Sequence, residues 1–304
     1  MVDNFKIEFT GNQHVIPSFE NIVEIFNTLF YPHYNKEGKY LYHWANIQNN
    51  LVAKIDKRRN EVMTIENSLH KFWHGNNFED FTFSEILQAI DQIEKILNIP
   101  SRFLKFKKVE IGINIENNIS SFDLLKSYKM NDFDRMRSGK KVYGKKIFLT
   151  DFDIKYYNKF METELSQRTN MIDSNSVFIP KNLYRFEIGY KRMRPLEGIL
   201  TRLSDLRDIK TLQKLGHKLL DTFNLIDMHK DYNFSVLSPR ERELVFAGMN
   251  SEFWEIEKIN ENTRKDKRRK YLNCIKRLNE NLSEDPKELI LDLLSDKLNY
   301  LITN

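Results

Sequence analysis

Apolar and polar residues alternate most regularly in three stretches, and each predicts a β-strand with one buried face. Across residues 107–116, Val109, Ile111, Ile113 and Ile115 point one way, and Lys108, Glu110, Gly112, Asn114 and Glu116 the other. From Phe152 onward, Asp153, Lys155, Tyr157 and Lys159 share a polar face, while Phe152, Ile154 and Tyr156 share the opposite one. Across residues 183–190, Arg185, Glu187 and Gly189 alternate with Tyr184, Phe186, Ile188 and Tyr190, and Lys191-Arg192-Met193-Arg194-Pro195 then ends the strand. Residues 46–56 and 61–69 read as a hairpin around the tip Lys57-Arg58-Arg59-Asn60, and residues 5–9 as a short opening strand.

Helical spacing predicts the other elements. Residues 18–30 fit a helix capped by Ser18, with Ile22, Val23, Ile25, Phe26 and Leu29 on its stripe. Residues 84–97 fit an amphipathic helix capped by Ser84 and stopped by Asn98-Ile99-Pro100. The polar connection 117–146 holds a short helix near 122–128, and another helix starts around 162–168. Beyond Gly198 the strand pattern disappears: 200–206, 209–223, 237–249 and 286–302 read as helices, with a strongly charged segment at 253–278. The pattern is α+β: a domain over 1–197 with a central antiparallel sheet and packed helices, then a helical C-terminal region over 198–304.

Composition narrows the class. The chain of 304 residues is 40% hydrophobic, with 22 Phe and 13 Tyr, so it folds. A net charge of +5 points to nucleic acid only where positive charge is concentrated. Such places are Arg58 and Arg59, Arg192 and Arg194, and Arg268 and Arg269 within the run 264–270; the tip and the run read first as solvated surface and only second as a contact to a phosphate backbone. The single cysteine, Cys274, excludes a disulfide framework and fits a reducing cytoplasm. The chain shows no long apolar run and no secretory leader, so a cytoplasmic protein without membrane association is expected. No phosphate-binding Gly-rich loop points to a nucleotide cofactor.

The polar strand faces carry the candidate chemistry. A tyrosine beside lysines, as at Tyr157 with Lys155 and Lys159, suits a nucleophile that attacks phosphorus while a cation stabilises the developing charge; taken alone, the tetrapeptide reads first as an ordinary strand in a chain with 13 Tyr. Glu110, Asn114 and Glu116 on one face, about 7 Å apart per two-residue step, suit a hard divalent cation; a solvent-facing strand explains them equally. Arg185 and Glu187 put a charged pair on one face of a second site-like strand; a buried salt bridge explains them equally. His70 and His74 would share a helix face and could ligate zinc, but Gly75-Asn76-Asn77 argues for a turn there and against a helical pair.

The order of these motifs resembles a known family. A Ser-Leu-His-Lys-Phe-Trp-His-Gly-Asn-Asn segment from Ser68 precedes a helix and Val-Glu-Ile-Gly-Ile-Asn-Ile from Val109. Tyr-Asn-Lys-x-x-Glu (Tyr157 to Glu162) and Tyr-Arg-Phe-Glu-Ile (Tyr184 to Ile188) follow. This is similar to the rolling-circle replication initiators of plasmids and filamentous phages, the gene II/X-like proteins and related Rep nickases, over about residues 50–200. The resemblance implies a fold related to the HUH endonucleases. It also implies a metal-dependent endonuclease and strand transferase that nicks origin DNA, single-stranded or hairpin, through a tyrosine joined to the 5′ phosphate, with Mg²⁺ or Mn²⁺ polarising that phosphate. Carried over by motif, Tyr157 is the nucleophile, Lys159 its electrostatic partner and Glu162 a supporting residue. Arg185 is the phosphate-side group and Glu187 a metal-side group. Glu110 is the further metal ligand, with Asn114, Glu116 and His70 as additional candidates. Lys155 and the arginines named above would contact DNA. The family's His-hydrophobic-His triplet is absent, and Tyr156 with Lys159 gives the Tyr-x-x-Lys spacing of other initiators, so Tyr156 stays an alternative nucleophile. A non-catalytic origin-binding or copy-control protein on the same scaffold is the alternative function. The C-terminal helices are open to three roles: dimerisation, duplex contact or recruitment of a host helicase.

Overall fold

A computed structural model describes residues 1–9, 23–25, 28–48, 51–56, 62–118, 122–170, 178–228, 232, 234–249, 253–256, 261–280 and 285–304. The strands are β1 (Val2–Phe9), β2 (Val23–Ile25), β3 (Thr28–Tyr34), β4 (Tyr40–Gln48), β5 (Leu51–Asp56), β6 (Val62–Ser68) and β7 (Leu104–Glu116), then β8 (Leu125–Tyr128), β9 (Asn131–Asp132), β10 (Asp134–Ser138), β11 (Lys141–Phe148), β12 (Phe152–Asn158), β13 (Leu183–Tyr190) and β14 (Ile226–Met228). The helices are α1 (Leu69–His74), α2 (Phe83–Leu97), α3 (Lys159–Asn170), α4 (Ile209–Asn224), α5 (Pro239–Gly248), α6 (Phe253–Ile256), α7 (Glu261–Glu280) and α8 (Pro286–Thr303). Among the described residues, eleven strands form one sheet in the order β10-β11-β12-β13-β7-β1-β6-β5-β4-β3-β2, and β14-β8-β9 form a small second one. The class is α+β with a helical C-terminal region, as the sequence pattern predicts.

The chain divides into two compact units, 1–227 with 290–304, and 228–289. The helical stretch expected from 198 is therefore shared between them, since α4 lies in the first unit. That unit buries one face of the large sheet. Ile111, Ile113, Ile154, Tyr156, Phe186 and Ile188 are all buried there, and Phe223 of α4 packs edge-on against Phe186 at 5.1 Å. Gly216 of α4 lies so close to Leu298 of α8 that a Cβ would meet its methyl groups, so the missing side chain sets how closely these helices approach. The second unit has a small core of its own around Leu237, Val245, Cys274 and Leu278. Among the described residues no helix is long and apolar enough to cross a membrane.

Several elements differ from the sequence reading. The described part of 18–30 is strand, not helix; Phe30 is buried while Leu29 is 51% exposed, a two-residue period rather than a helical stripe. Ser18 and Ile22 lie outside the described residues, as does the hairpin tip with Arg58 and Arg59. That hairpin is β5 paired with β6; Asn46 belongs to the preceding strand, β4, and Leu69 to α1. Thr82, not Ser84, caps α2, in a capping box with Glu85. The helix expected at 122–128 is a 3-10 turn followed by β8, whose Ser127 hydroxyl donates to Asp227 at 2.8 Å. The β10–β11 hairpin was not expected, because charged edge strands carry little alternation. Residues 203–207 form a 3-10 turn where a helix over 200–206 was expected, and β14 interrupts the strand-free stretch.

Candidate functional site

The three alternating strands are neighbours, β12-β13-β7, and their register lines up the polar residues in rows. Asp153, Gly189 and Glu110 lie side by side; so do Lys155, Glu187 and Gly112, and then Tyr157, Arg185 and Asn114. Gly112 makes room for the Arg185 side chain, since a Cβ there would sit 2.8 Å from Arg185 Nη2. Gly144 of β11 plays the same part opposite Tyr157, where a Cβ would fall 2.3 Å from the tyrosine Cβ. From β1, which breaks register with β7 between Val2 and Phe5, the chain adds Asp3 and Asn4 to this face.

The resulting cluster is dense with charge. Arg185 donates to Asp3 Oδ2 at 2.9 Å, to Glu187 Oε2 at 3.0 Å and to Asn114 Oδ1 at 3.0 Å. The Tyr157 hydroxyl donates to the same Glu187 Oε2 at 3.2 Å. The Lys155 ammonium bridges Glu187 at 2.7 Å and Glu110 at 3.2 Å, with Asp153 at 3.8 Å. Asp3 also accepts from the Ser68 hydroxyl and from Asn77, and Glu110 accepts from Asn4 at 2.5 Å. Tyr157 is 5% exposed and the side chain of Arg185 is fully enclosed. Tyr156 points to the other face, 0% exposed, among Tyr184, Phe186 and Phe223.

Burial and charge pull the titrations in different directions. Burial opposes the charged forms of Asp3 and Glu187, but Arg185 and hydrogen bonds hold Asp3 below its usual range, and Lys155 with Arg185 does the same for Glu187. Glu110 goes the other way: burial and the Glu187 carboxylate raise its pKa. Burial also lifts the Tyr157 phenol well above its ordinary value, reinforced by Glu187. Burial lowers Lys159 against the pull of Glu162. The resting centre therefore holds a neutral phenol beside the ionised Asp3 and Glu187, with Arg185 and Lys155 between the carboxylates.

The carboxylate oxygens of Asp3, Glu110 and Glu187 come within 4.8 Å of one another, an all-oxygen donor set of the kind hard divalent ions take. Lys155 spans two of the three, so an ion would compete with its ammonium. The other sequence-predicted ligands are placed differently from one another. Asn114 is committed, accepting from Arg185 and donating to the Asn77 and Phe78 carbonyls. Glu116 is exposed and lines a separate cavity of about 230 Å³ with Glu79, Asp80 and Lys297. His70 stacks on Phe81 at 4.9 Å, and burial holds it neutral. It does share a helix with His74: Ser68 caps α1 at one end and Gly75, at φ 76°, caps the other. The Gly75 turn read as excluding a helical pair is the signal that ends the helix.

Lys159 is the first residue of α3 rather than the last of the strand; its buried ammonium pairs with Glu162 at 2.6 Å and lies 5.8 Å from the centre of the Tyr157 ring. Lys155, expected to touch DNA, is held inside the cluster. Arg192 and Arg194 are exposed and pair with Asp151. Arg268 and Arg269 lie on the exposed side of α7 in the second unit. Sequence reasoning missed Asp3, and it marked the segment holding Ser68 and Asn77 without giving either residue a role. The available signal was that apolar Val2 extends the first strand to Asp3; nothing local joins Asp3 to an arginine 182 positions away. A cavity of about 390 Å³ adjoins the centre, lined by Asn4, Lys6, Lys108, Glu110, Asp153 and Lys191 among others. Compared with known proteins, the chain matches no protein-family model and no curated protein.

Proposed function

We propose that this protein is a rolling-circle replication initiator that nicks origin DNA, with Tyr157 as nucleophile. The observation that carries the reading is one oxygen, Glu187 Oε2, which accepts from both the Tyr157 hydroxyl and Arg185, beside a carboxylate triad. The Tyr157 phenol enters protonated, and Glu187, whose Oε2 already accepts its hydrogen bond, is the group in contact to take the proton as the bond to phosphorus forms; Lys155 leaving that carboxylate makes it a stronger base. As Tyr157 Oη bonds to phosphorus, the bond to the 3′ oxygen breaks and that oxygen takes a proton from solvent. Arg185 and Lys159 offset the charge that develops on the phosphate oxygens. Asp3, Glu110 and Glu187 would hold Mg²⁺ or Mn²⁺ once Lys155 yields its place, and the ion would polarise the scissile phosphate.

A second reading has one observation in its favour. Tyr157 is nearly buried, and Lys155 and Arg185 already pair with the carboxylates, as in a static ion-pair network supporting a non-catalytic origin-binding protein. A denaturing gel with a labelled single-stranded origin oligonucleotide and Mn²⁺ separates the two. A covalent protein–DNA band is expected in wild type and in Tyr156→Phe, and its loss in Tyr157→Phe. A band lost only in Tyr156→Phe would move the nucleophile. No band in any variant, with origin binding intact, would select the non-catalytic reading.

A further inference from the structure

The polar sheet face extends well beyond the Tyr157 centre, and register traces it strand by strand. Glu110 lies two residues from Lys108, which pairs with Lys6, which pairs with Glu66. Glu66 lies two residues from Thr64, which pairs with Lys54, which pairs with Trp44, which pairs with Tyr31. Directly paired residues point to the same side of a sheet, as do residues two apart. Trp44 and Tyr31 therefore face the same way as Tyr157. They are 37% and 43% exposed, with ring centres 6.3 Å apart. Next to them His33 stacks on Tyr42 at 4.7 Å, and the Lys54 ammonium lies 5.7 Å from the centre of the Tyr42 ring.

Cross-strand aromatic pairs stabilise a hairpin, but that alone does not require rings open to solvent on this side. Between this wing and Glu110 the same face carries Lys6, Lys54, Lys105, Lys107 and Lys108 against Glu8, Asp56 and Glu66, five positive charges to three negative. From β12 to β4 is six strand steps in the sheet order, roughly 29 Å at about 4.8 Å per step. Beyond the centre on the opposite side, β11 presents Phe148, 56% exposed, with Lys146 and Lys191 at 4.7 and 4.9 Å from its ring centre. Exposed rings and lysines along one track match what single-stranded nucleic acid needs: faces for bases to stack on and cations for the backbone.

We propose that the Tyr31–Trp44 wing and the lysine band beside it bind the single-stranded DNA that leads into the Tyr157 centre. Bases stack on the exposed rings and phosphates lie on the ammonium groups. The identity of the polymer rests on the nicking reading; the surface itself does not need the chemistry.

The test is binding of a labelled oligothymidylate to the full chain in EDTA, followed by fluorescence anisotropy, beside the adduct gel. Trp44→Ala and Tyr31→Ala are each expected to weaken binding about fivefold or more. Trp44→Phe, which keeps a ring, is expected to restore most of the affinity, and the alanine variants should still form the Tyr157 adduct at saturating DNA. Lys6→Gln and Lys108→Gln should each flatten the salt dependence by a slope of about 0.7. Unchanged affinity in both alanine variants, with melting curves like wild type, would overturn the inference and leave the nicking reading untouched. Trp44-dependent binding without any Tyr157 adduct would keep the inference and remove the nickase. Absence of single-strand binding by wild type would remove both, and a Trp44-dependent dimer without DNA dependence would assign the wing to a second copy.

Discussion

Tyr156 and Tyr157 are neighbours in the chain, and the two sides of the sheet they enter are built on different physics. On the Tyr156 side, Phe186, Phe223 and Tyr184 surround the ring, and stability comes from apolar area removed from water. Each contact there is small and largely independent of the others. On the Tyr157 side, Asp3, Glu110, Glu187, Lys155 and Arg185 hold one another, and each charge is tolerable only because the others are present. The first face tolerates similar shapes. The second fails as a unit, and it keeps its polar groups oriented and close together.

The sharpest way to break this contrast is Arg185→Leu, which strands Asp3 and Glu187 without their guanidinium. A loss of about 3–5 kcal/mol is expected by urea unfolding; an unchanged midpoint would mean that the cluster is not what holds the polar face. Gly112→Ala should cost about 1–3 kcal/mol, because its Cβ would displace the same guanidinium, and a second mutation Arg185→Leu should remove most of that added cost. Tyr157→Phe should cost only about 1 kcal/mol, the worth of one hydrogen bond, while abolishing the covalent adduct. Tyr156→Phe should keep the adduct.

The smallest effect separates the three carboxylates by sign. Asp3 and Glu187 have lowered pKa values, so their stabilisation is complete above the ordinary carboxylate range and is lost as pH falls through their folded values. Glu110 has a raised pKa, so it binds its proton more tightly when folded, and its contribution weakens as pH rises past its ordinary value. Glu110→Gln is accordingly expected to raise the melting temperature at pH 7 relative to wild type, with the difference shrinking toward pH 4. A Glu110→Gln protein that melts lower at neutral pH would show that Lys155 needs that carboxylate more than burial opposes it.

Much of the candidate site was legible because it lies on strands with clean two-residue periods. Glu110, Lys155, Tyr157, Arg185 and Glu187 were each placed on a polar face from sequence, and all five meet. Other features escaped for specific reasons. Apolar residues in 18–30 fit a helical stripe and a strand pattern alike, and β-branched Val23, Ile25 and Thr28 with pairing to β3 and β4 favour strand. His70 and His74 were discounted on a glycine that turned out to be a helix cap. Lys159 was extended along a strand that ends one residue earlier.

What the sequence determined by itself was the sidedness of each strand, since alternation is a local property of the backbone. That was enough to separate Tyr157 from Tyr156 and to group the charges of β7, β12 and β13 by face. Only the tertiary structure decided which strands are neighbours, and so which charges compensate one another. Asp3 meets Arg185 because β1 lies beside β7 with a local break in register. Strand order is settled by the burial of the whole sheet against its helices, and no window of sequence contains that balance.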